Sequence, residues 1–253
     1  MKPQQPEVQF SPLDEERFGV RTAKAFLTRP SDIRHVLQTC QENGADWLIA
    51  RCPADRLDVA HTLESAGARL MDVLVYFVRK LGTLPIPAAT GAVTLRSAGP
   101  ADAETVAAIA REAFCGYQGH YHADTLLDRT ACDEVYVSWA RRSCLHREVA
   151  HAVLIAVADE AAPLGFITLR LNSASEAEIC LNAVRPAAQR RGVNHSLILG
   201  ALNWSHQQGC ERVIVSTQVT NIPAQKVWIR LGFEPHSCFL TFHLWFNPQA
   251  RKA

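Results

Sequence analysis

The chain has 253 residues, 48% of them hydrophobic, with a formal net charge of +1. That length suits one large domain or two small ones with a sizeable core, and the charge balance gives no global pull toward nucleic acid or an anionic membrane, so any anion site must be local. The segment from Met1 to Glu7 is polar and lacks an apolar signal core, no apolar run reaches membrane-spanning length, and the eight cysteines are scattered without a C-x-x-C pair; these features predict a cytoplasmic protein with small buried thiols.

In chain order, Phe10 to Gly19 reads as irregular and Val20 to Leu27 as a strand. Ser31-Asp32 opens a helix with Ile33, Val36, Leu37 and Cys40 on one face, closing at Gly44. Trp47 to Arg51 is a short apolar strand, Asp55 to Ala66 a helix stopped by Gly67, and Leu70 to Val78 a third strand. This β-α-β-α-β order is an α/β unit. Pro85, Pro87 and Gly91 then mark a boundary. We expect a small α/β domain over residues 1–88 and a second domain over residues 89–253.

The second domain starts with a strand at Val93 to Ser97 and a helix running to about Phe114. Cys115 to Thr130 reads as a loop rich in Tyr and His, followed by a helix over Asp133 to Arg142. Strands are expected at Val149 to Ala158, Leu164 to Leu171 and Ile179 to Val184. A helix follows, then the strand Val213 to Thr217, a short helix from Asn221 to Leu231, and extended chain from Phe239 to Phe246.

The stretch from Leu181 to Trp204 carries the strongest chemical signal. An apolar strand ends at Pro186, a short basic turn follows, and Leu197, Ile198, Ala201 and Leu202 then repeat with helical spacing. A strand, a tight turn and a helix start leave several amide N–H groups unpaired and aimed one way, and the helix dipole adds positive potential. Such a place binds phosphate. Gly192 lets a ligand approach the backbone, and Arg190 and Arg191 offer charge-assisted bonds. Taken alone, the same residues also describe a basic connection with no ligand.

Gln189-Arg190-Arg191-Gly192-Val193-Asn194 resembles the pyrophosphate-binding turn of the GCN5-related N-acetyltransferase (GNAT) superfamily: Gln or Arg, two variable residues, Gly, one variable residue, then Gly or Ala. Asn194 departs at the last position, and Asn tolerates left-handed backbone better than most residues. A second motif follows, with Asn221, Ala224, an aromatic at Trp228, and Leu231-Gly232-Phe233. The element order of the second half is that of a GNAT domain. The resemblance implies an α/β (α+β) fold with a mixed central sheet and flanking helices, preceded here by the smaller N-terminal domain. A narrower likeness, patchy but spread along the chain, is to the dTDP-fucosamine acetyltransferases, which acetylate a nucleotide-linked amino sugar. It is carried by Ser11-Pro12-Leu13 through Val20, Ala66-Gly67 through Asp72, Tyr136 and Trp139, and Ala201 through Trp204.

The resemblance implies an acyl-CoA-dependent N-acetyltransferase that uses acetyl-CoA as co-substrate and a small-molecule amine as acceptor. The amides of residues 189 to 194 would hold the pyrophosphate. Leu181, Ala183 and Val184 would offer main-chain groups to the pantetheine where their strand splays from Val213 to Thr217, and Asn221 would hydrogen-bond the same arm. The acceptor amine must lose a proton to a carboxylate. Asp72 stands where the resembling enzymes have a Glu near the sugar amine, and Glu178 is the other candidate base; either also reads as an ordinary strand-edge acid. Trp228 stands where many GNAT enzymes have a Tyr that protonates the leaving thiolate. Indole N–H donates a hydrogen bond but is not a practical acid, so Trp228 is either a donor to the leaving sulfur or a packed core residue. In the loop, Tyr117, Tyr121 and His122 could contact the substrate. His120 and His122 lack any further ligand pattern, so no metal is expected. Neither nucleic acid nor membrane is expected as a partner, and a homodimer is left open. An acetyltransferase for another amine, or a degenerate acyl-CoA binder, are the alternatives.

Overall fold

The computed structural model describes residues 7–87, 93–158 and 162–247. The boundary expected at 88/89 falls outside the described residues. The chain divides into two compact units. The first holds Met1–Val75, Gln118–Cys132 and Ser237–Ala253, and the second Tyr76–Tyr117 and Asp133–His236. Neither unit is one continuous stretch, because two later segments belong with the N-terminal one.

In the first unit the elements are β1 (Val8–Phe10), α1 (Pro12–Phe18), β2 (Thr22–Phe26), α2 (Pro30–Glu42), β3 (Trp47–Pro53) and α3 (Leu57–Ser65). They are joined by the early part of β4 (Arg69–Lys80), the short α5 (His120–Ala123) and most of β10 (Glu234–Trp245). β1 pairs antiparallel with β2, β2 parallel with β3, and β3 antiparallel with β10. Side chains alternate across such a sheet. Ala23, Ala25, Leu48, Ala50, Phe242 and Leu244 share a core with Ile33, Val36 and Cys40 of α2 and Val59, Ala60 and Leu63 of α3. The opposite face of the sheet carries Lys24, Trp47, Ile49, Arg51, His243 and Trp245, with Trp47 stacked on Trp245 at 5.3 Å.

In the second unit are the rest of β4, β5 (Thr94–Ser97), α4 (Ala103–Ala113), α6 (Arg129–Leu145, from Asp133 on), β6 (Ala152–Val157), β7 (Gly165–Leu171) and β8 (Glu176–Val184). Then come α7 (Val193–Gln207), β9 (Arg212–Gln218) and α8 (Ile222–Arg230). β5, β6, β7 and β8 are successively antiparallel, and β8 runs parallel to β9. Helices α4 and α7 pack on β7 and β8. The buried residues Ala177, Ile179, Leu181 and Ala183 alternate along β8, the pattern of a strand with a covered face.

Several elements differ from the sequence expectation. The segment expected to be irregular contains α1, which starts at Pro12, carries Asp14 and Glu15 in its first turn and ends at a left-handed Gly19. The expected loop contains α5, and α6 begins at Arg129 rather than Asp133. β8 starts at Glu176 and β10 at Glu234, both earlier than hydropathy suggested. Cys115 is exposed, while Cys40, Cys52, Cys132, Cys144 and Cys210 are buried.

Candidate active site

β8 leads directly into the candidate turn. Its pairing with β9 runs from Glu176 opposite Arg212 to Ile179 opposite Val215 and stops there, although β8 continues to Val184 and β9 to Gln218. At the same place the register with β7 slips. Thr168 faces Leu181 and Leu169 faces Ile179, so Cys180 has no residue across from it. This is a β-bulge, which bends a strand and re-aims its main-chain groups. The family resemblance implied a gap between these strands, whereas nothing in the sequence marks the bulge, since no Gly or Pro stands at Cys180.

Beyond Val184, Pro186–Ala188 form a single 3-10 turn, and Gly192 caps α7 with φ 79°. Arg190 has φ 62°, the one positive φ of a non-glycine among the described residues. Left-handed backbone in a side-chain-bearing residue is strained, and such strain gathers at functional sites. The first helical bond of α7 is from the Ser196 N–H to the Gly192 carbonyl, and among the described residues the amides of Arg190 to His195 donate to no acceptor. The guanidinium groups of Arg190 and Arg191 lie exposed and form no ion pair among the described residues. A Cβ placed on Gly192 would meet nothing within 4 Å, so the turn is open at this residue. Undonated amides, a helix N-terminus and two unpaired cations around an open approach fit a diphosphate.

The left-handed positions are Arg190 and Gly192, not Asn194. Asn194 is helical, and its Oδ1 accepts a bond from Asn182 Nδ2 at 2.7 Å, tying the first turn of α7 to β8. Its tolerance of left-handed geometry is therefore not what preserves the turn. Gln189 Nε2 donates to the Val184 carbonyl at 3.3 Å, a second tie across the turn. Val193 is buried under the helix start. Leu181 and Ala183 bury their side chains, and Leu181 O accepts from Thr168 Oγ1.

Asn221 caps α8. Its Oδ1 accepts from the Ala224 N–H, and its Nδ2 donates to Thr217 Oγ1 at 2.9 Å. One Nδ2 hydrogen remains available. Trp228, in α8, is 2% exposed and packs edge-on against Phe77 at 5.6 Å. Its Nε1 is buried without an acceptor, an uncommon state for a buried donor. Glu178 on β8 pairs with Arg170 at 2.6 Å.

The aromatic loop does not form one surface. Tyr117 lies in the second unit, edge-on to the rings of Phe114 and Tyr136, with its hydroxyl donating to Gln218. Tyr121 and His122 lie in the first unit and are buried. The Tyr121 hydroxyl donates to Asp14, and burial followed by the Asp14 charge pushes its pKa far up. His122 Nδ1 accepts the Gly119 N–H, closing the turn that starts α5. Asp72 is also in the first unit, and its charge acts on His243. Sequence reasoning passed over His243 and Asp124, which join His120 in a buried chain of hydrogen bonds; no local pattern links three residues so far apart in sequence.

The model of the Acetyltransferase (GNAT) family matches residues 113–233, which include the bulged strand, the turn and both motifs. Over residues 113–233, a little under half of the chain, the protein matches as a GNAT acetyltransferase domain. It is therefore an acetyl-CoA-dependent N-acetyltransferase with a mixed-sheet GNAT fold. Among characterised relatives, the spore coat polysaccharide biosynthesis protein SpsD of Bacillus subtilis (strain 168) is 24% identical over 216 residues, covering 83% of this chain and 71% of SpsD. An aminoglycoside N(6')-acetyltransferase type 1 of Klebsiella aerogenes is 34% identical over 89 residues, covering 32% of this chain and 59% of that enzyme. A solved GCN5-related N-acetyltransferase from Kribbella flavida superposes with a TM-score of 0.67 at 16% identity, over 95% of this chain and 87% of that one. Among the described residues no helix is long and apolar enough to cross a membrane, and no group of three or more His, Cys, Asp or Glu is placed to hold a metal ion.

Proposed function

We propose that this GNAT enzyme acetylates the primary amine of a nucleotide-linked amino sugar. The observation that carries the donor half is the row of undonated amides from Arg190 to His195, open at Gly192. In this reading the diphosphate of acetyl-CoA lies on those amides, with Gln189, Arg190, Arg191, Gly192, Val193 and Asn194 forming the cradle. Leu181, Ala183, Val184 and Asn221 line the gap where β8 leaves β9. The acceptor half rests on the relatives, of which SpsD is named for polysaccharide biosynthesis and another for acetylating an aminoglycoside amine. Both names point toward carbohydrates, and the second toward a carbohydrate amine.

For the base we favour Glu178, because the strand that carries it also carries the bulge and the turn. Arg170 holds its carboxylate in place. Asp72 is the alternative base. Trp228 Nε1 is a donor for the leaving sulfur, a role that its lack of any protein acceptor leaves open to it. Tyr117 is a substrate contact, while Tyr121 and His122 shape the neighbouring loop from within. The same buried Trp228 favours a second reading, a domain that binds acetyl-CoA and turns over no amine.

Incubation with acetyl-CoA and a panel of amines, read by mass spectrometry, separates these readings. A mass gain of one acetyl group on a dTDP-linked amino sugar is expected, with aminoglycosides modified more slowly. Glu178→Gln should lower that turnover by about a hundredfold, the usual scale for a lost general base. Free thiol release with none of the amines would favour the second reading.

A further inference from the structure

The first unit has its own cavity, of about 440 Å³, on the sheet face opposite α2 and α3. That is the size of an ordinary small-molecule site, roughly 300–1,000 Å³. The wall combines apolar surface from Phe26 with cations from Lys24 and Arg51, the rim carboxylate of Glu7, and the ring of His120. Lys24 is shared with the buried Asp14, at 2.5 Å. Arg51 has no carboxylate partner among the described residues; its one bond is from Nε to Thr241 Oγ1 at 3.3 Å. A half-buried guanidinium that lines a cavity and makes no ion pair of its own is a place for an anion.

The role of His120 follows from the residues behind it. Asp124, 5% exposed, accepts from the Trp245 indole at 2.8 Å and from the Leu126 amide at 3.0 Å. Burial opposes its charge, but these bonds and the one from His243 outweigh that and hold its carboxyl below the ordinary range. As a carboxylate it can only accept, so His243 Nδ1, at 2.7 Å, must be the donor. Burial, against the pull of Asp124, keeps His243 toward the neutral form. Its Nε2 is then a lone pair, and His120 Nδ1 at 2.9 Å must donate to it. Burial, with the positive charges of Arg51 and Lys24, holds His120 toward the neutral form as well. The remaining nitrogen of the ring that lines the cavity, Nε2, is therefore a bare acceptor. The buried polar chain sets one ring nitrogen of one histidine in one protonation state, which packing alone would not require.

An acceptor nitrogen and a carboxylate suit hydroxyl groups, two cations suit a phosphate, and the Phe26 ring suits the apolar face of a pyranose. We propose that this cavity is a second ligand site of the enzyme and that it takes a phosphorylated sugar. The phosphate lies on Arg51 and Lys24, and sugar hydroxyls donate to His120 Nε2 and Glu7. This rests on the geometry of the first unit alone and stands whether or not the acceptor proposed above is correct.

The test is calorimetric titration of glucose 1-phosphate into the full chain saturated with acetyl-CoA. Binding is expected, weakened about tenfold or more by Arg51→Met, which removes charge-assisted bonds, and about fivefold by His120→Phe, which removes one neutral acceptor. Acetyl-CoA affinity should not change in either variant. In the unaltered protein the His120 ring-nitrogen resonance should move on titration, which decides the matter even if a variant fails to fold. A sugar nucleotide such as dTDP-glucose that binds with the same dependence on Arg51 supports the site with an esterified diphosphate as its source. The proposal is overturned if glucose 1-phosphate does not bind, if Arg51→Met binds it as well as the parent, or if acetyl-CoA competes with it. Unphosphorylated glucose or inorganic phosphate binding equally tightly would overturn it too.

Discussion

Gly192→Glu should abolish measurable acetyl-CoA binding while leaving the protein folded. A Cβ at this position meets nothing within 4 Å, so the first carbon of the new side chain is accommodated without a clash. The backbone cost is that of holding a non-glycine at φ 79°, about 1–2 kcal/mol, which a domain of ordinary stability survives. The functional cost is larger. The added carboxylate would stand over amides that donate to nothing else, where it both occupies the cradle and repels a diphosphate. Gly192→Ala separates the two effects, since it carries the backbone strain and a methyl group but no charge. Its affinity should fall between those of the parent and the glutamate variant. Calorimetry with acetyl-CoA reads binding, and thermal unfolding reads the fold. Parent-like affinity in Gly192→Glu would place the donor elsewhere.

Trp228 divides stability from chemistry. Trp228→Ala empties the volume of a side chain that is 2% exposed and packed on Phe77, and a loss of about 3–5 kcal/mol is expected in denaturant unfolding. Trp228→Phe keeps most of the packing and deletes only an indole N–H that has no acceptor in the protein. Removing an unpaired buried donor costs little and can even stabilise, so Trp228→Phe should unfold within about 1 kcal/mol of the parent. If the indole serves the leaving sulfur, the same substitution lowers the rate of thiol release without changing the affinity for acetyl-CoA. Equal turnover in Trp228→Phe and the parent would make Trp228 a packing residue only.

The legible part of the fold was the part written in local pattern. Gly192 after two arginines and before an amphipathic run announced the turn, and the short helix expected from Asn221 is α8, which Asn221 caps. α1 was overlooked although its signals are present: Pro12 in the first turn, Asp14 and Glu15 beside it, and Gly19 at the end. With Leu13 and Phe18 as its apolar residues, seven residues give hydropathy too little to repeat. The bulge at Cys180 had no local signal, because it arises from how β7 and β8 match in length and register. The make-up of the units was equally hidden. β10 completes the first sheet by pairing Trp245 with Trp47 and Phe239 with Pro53, and periodicity carries no information about partners so distant along the chain. His120, His243 and Asp124 meet only because that pairing brings β10 to β3. The aromatic and imidazole content of the loop marks it out, and the residues that line the cavity are His120 and Tyr121 rather than His122.

The account turns on whether the amides of residues 190 to 195 receive the diphosphate of the donor. Titration of the labelled protein with coenzyme A, followed through its backbone amide resonances, tests this directly. The largest shifts should fall on Arg190 to His195, moving downfield as these N–H groups gain acceptors, with smaller ones along Leu181 to Val184 and at the Asn221 side chain. Saturation with coenzyme A that leaves the resonances of 190 to 195 unmoved would contradict the placement of the donor site.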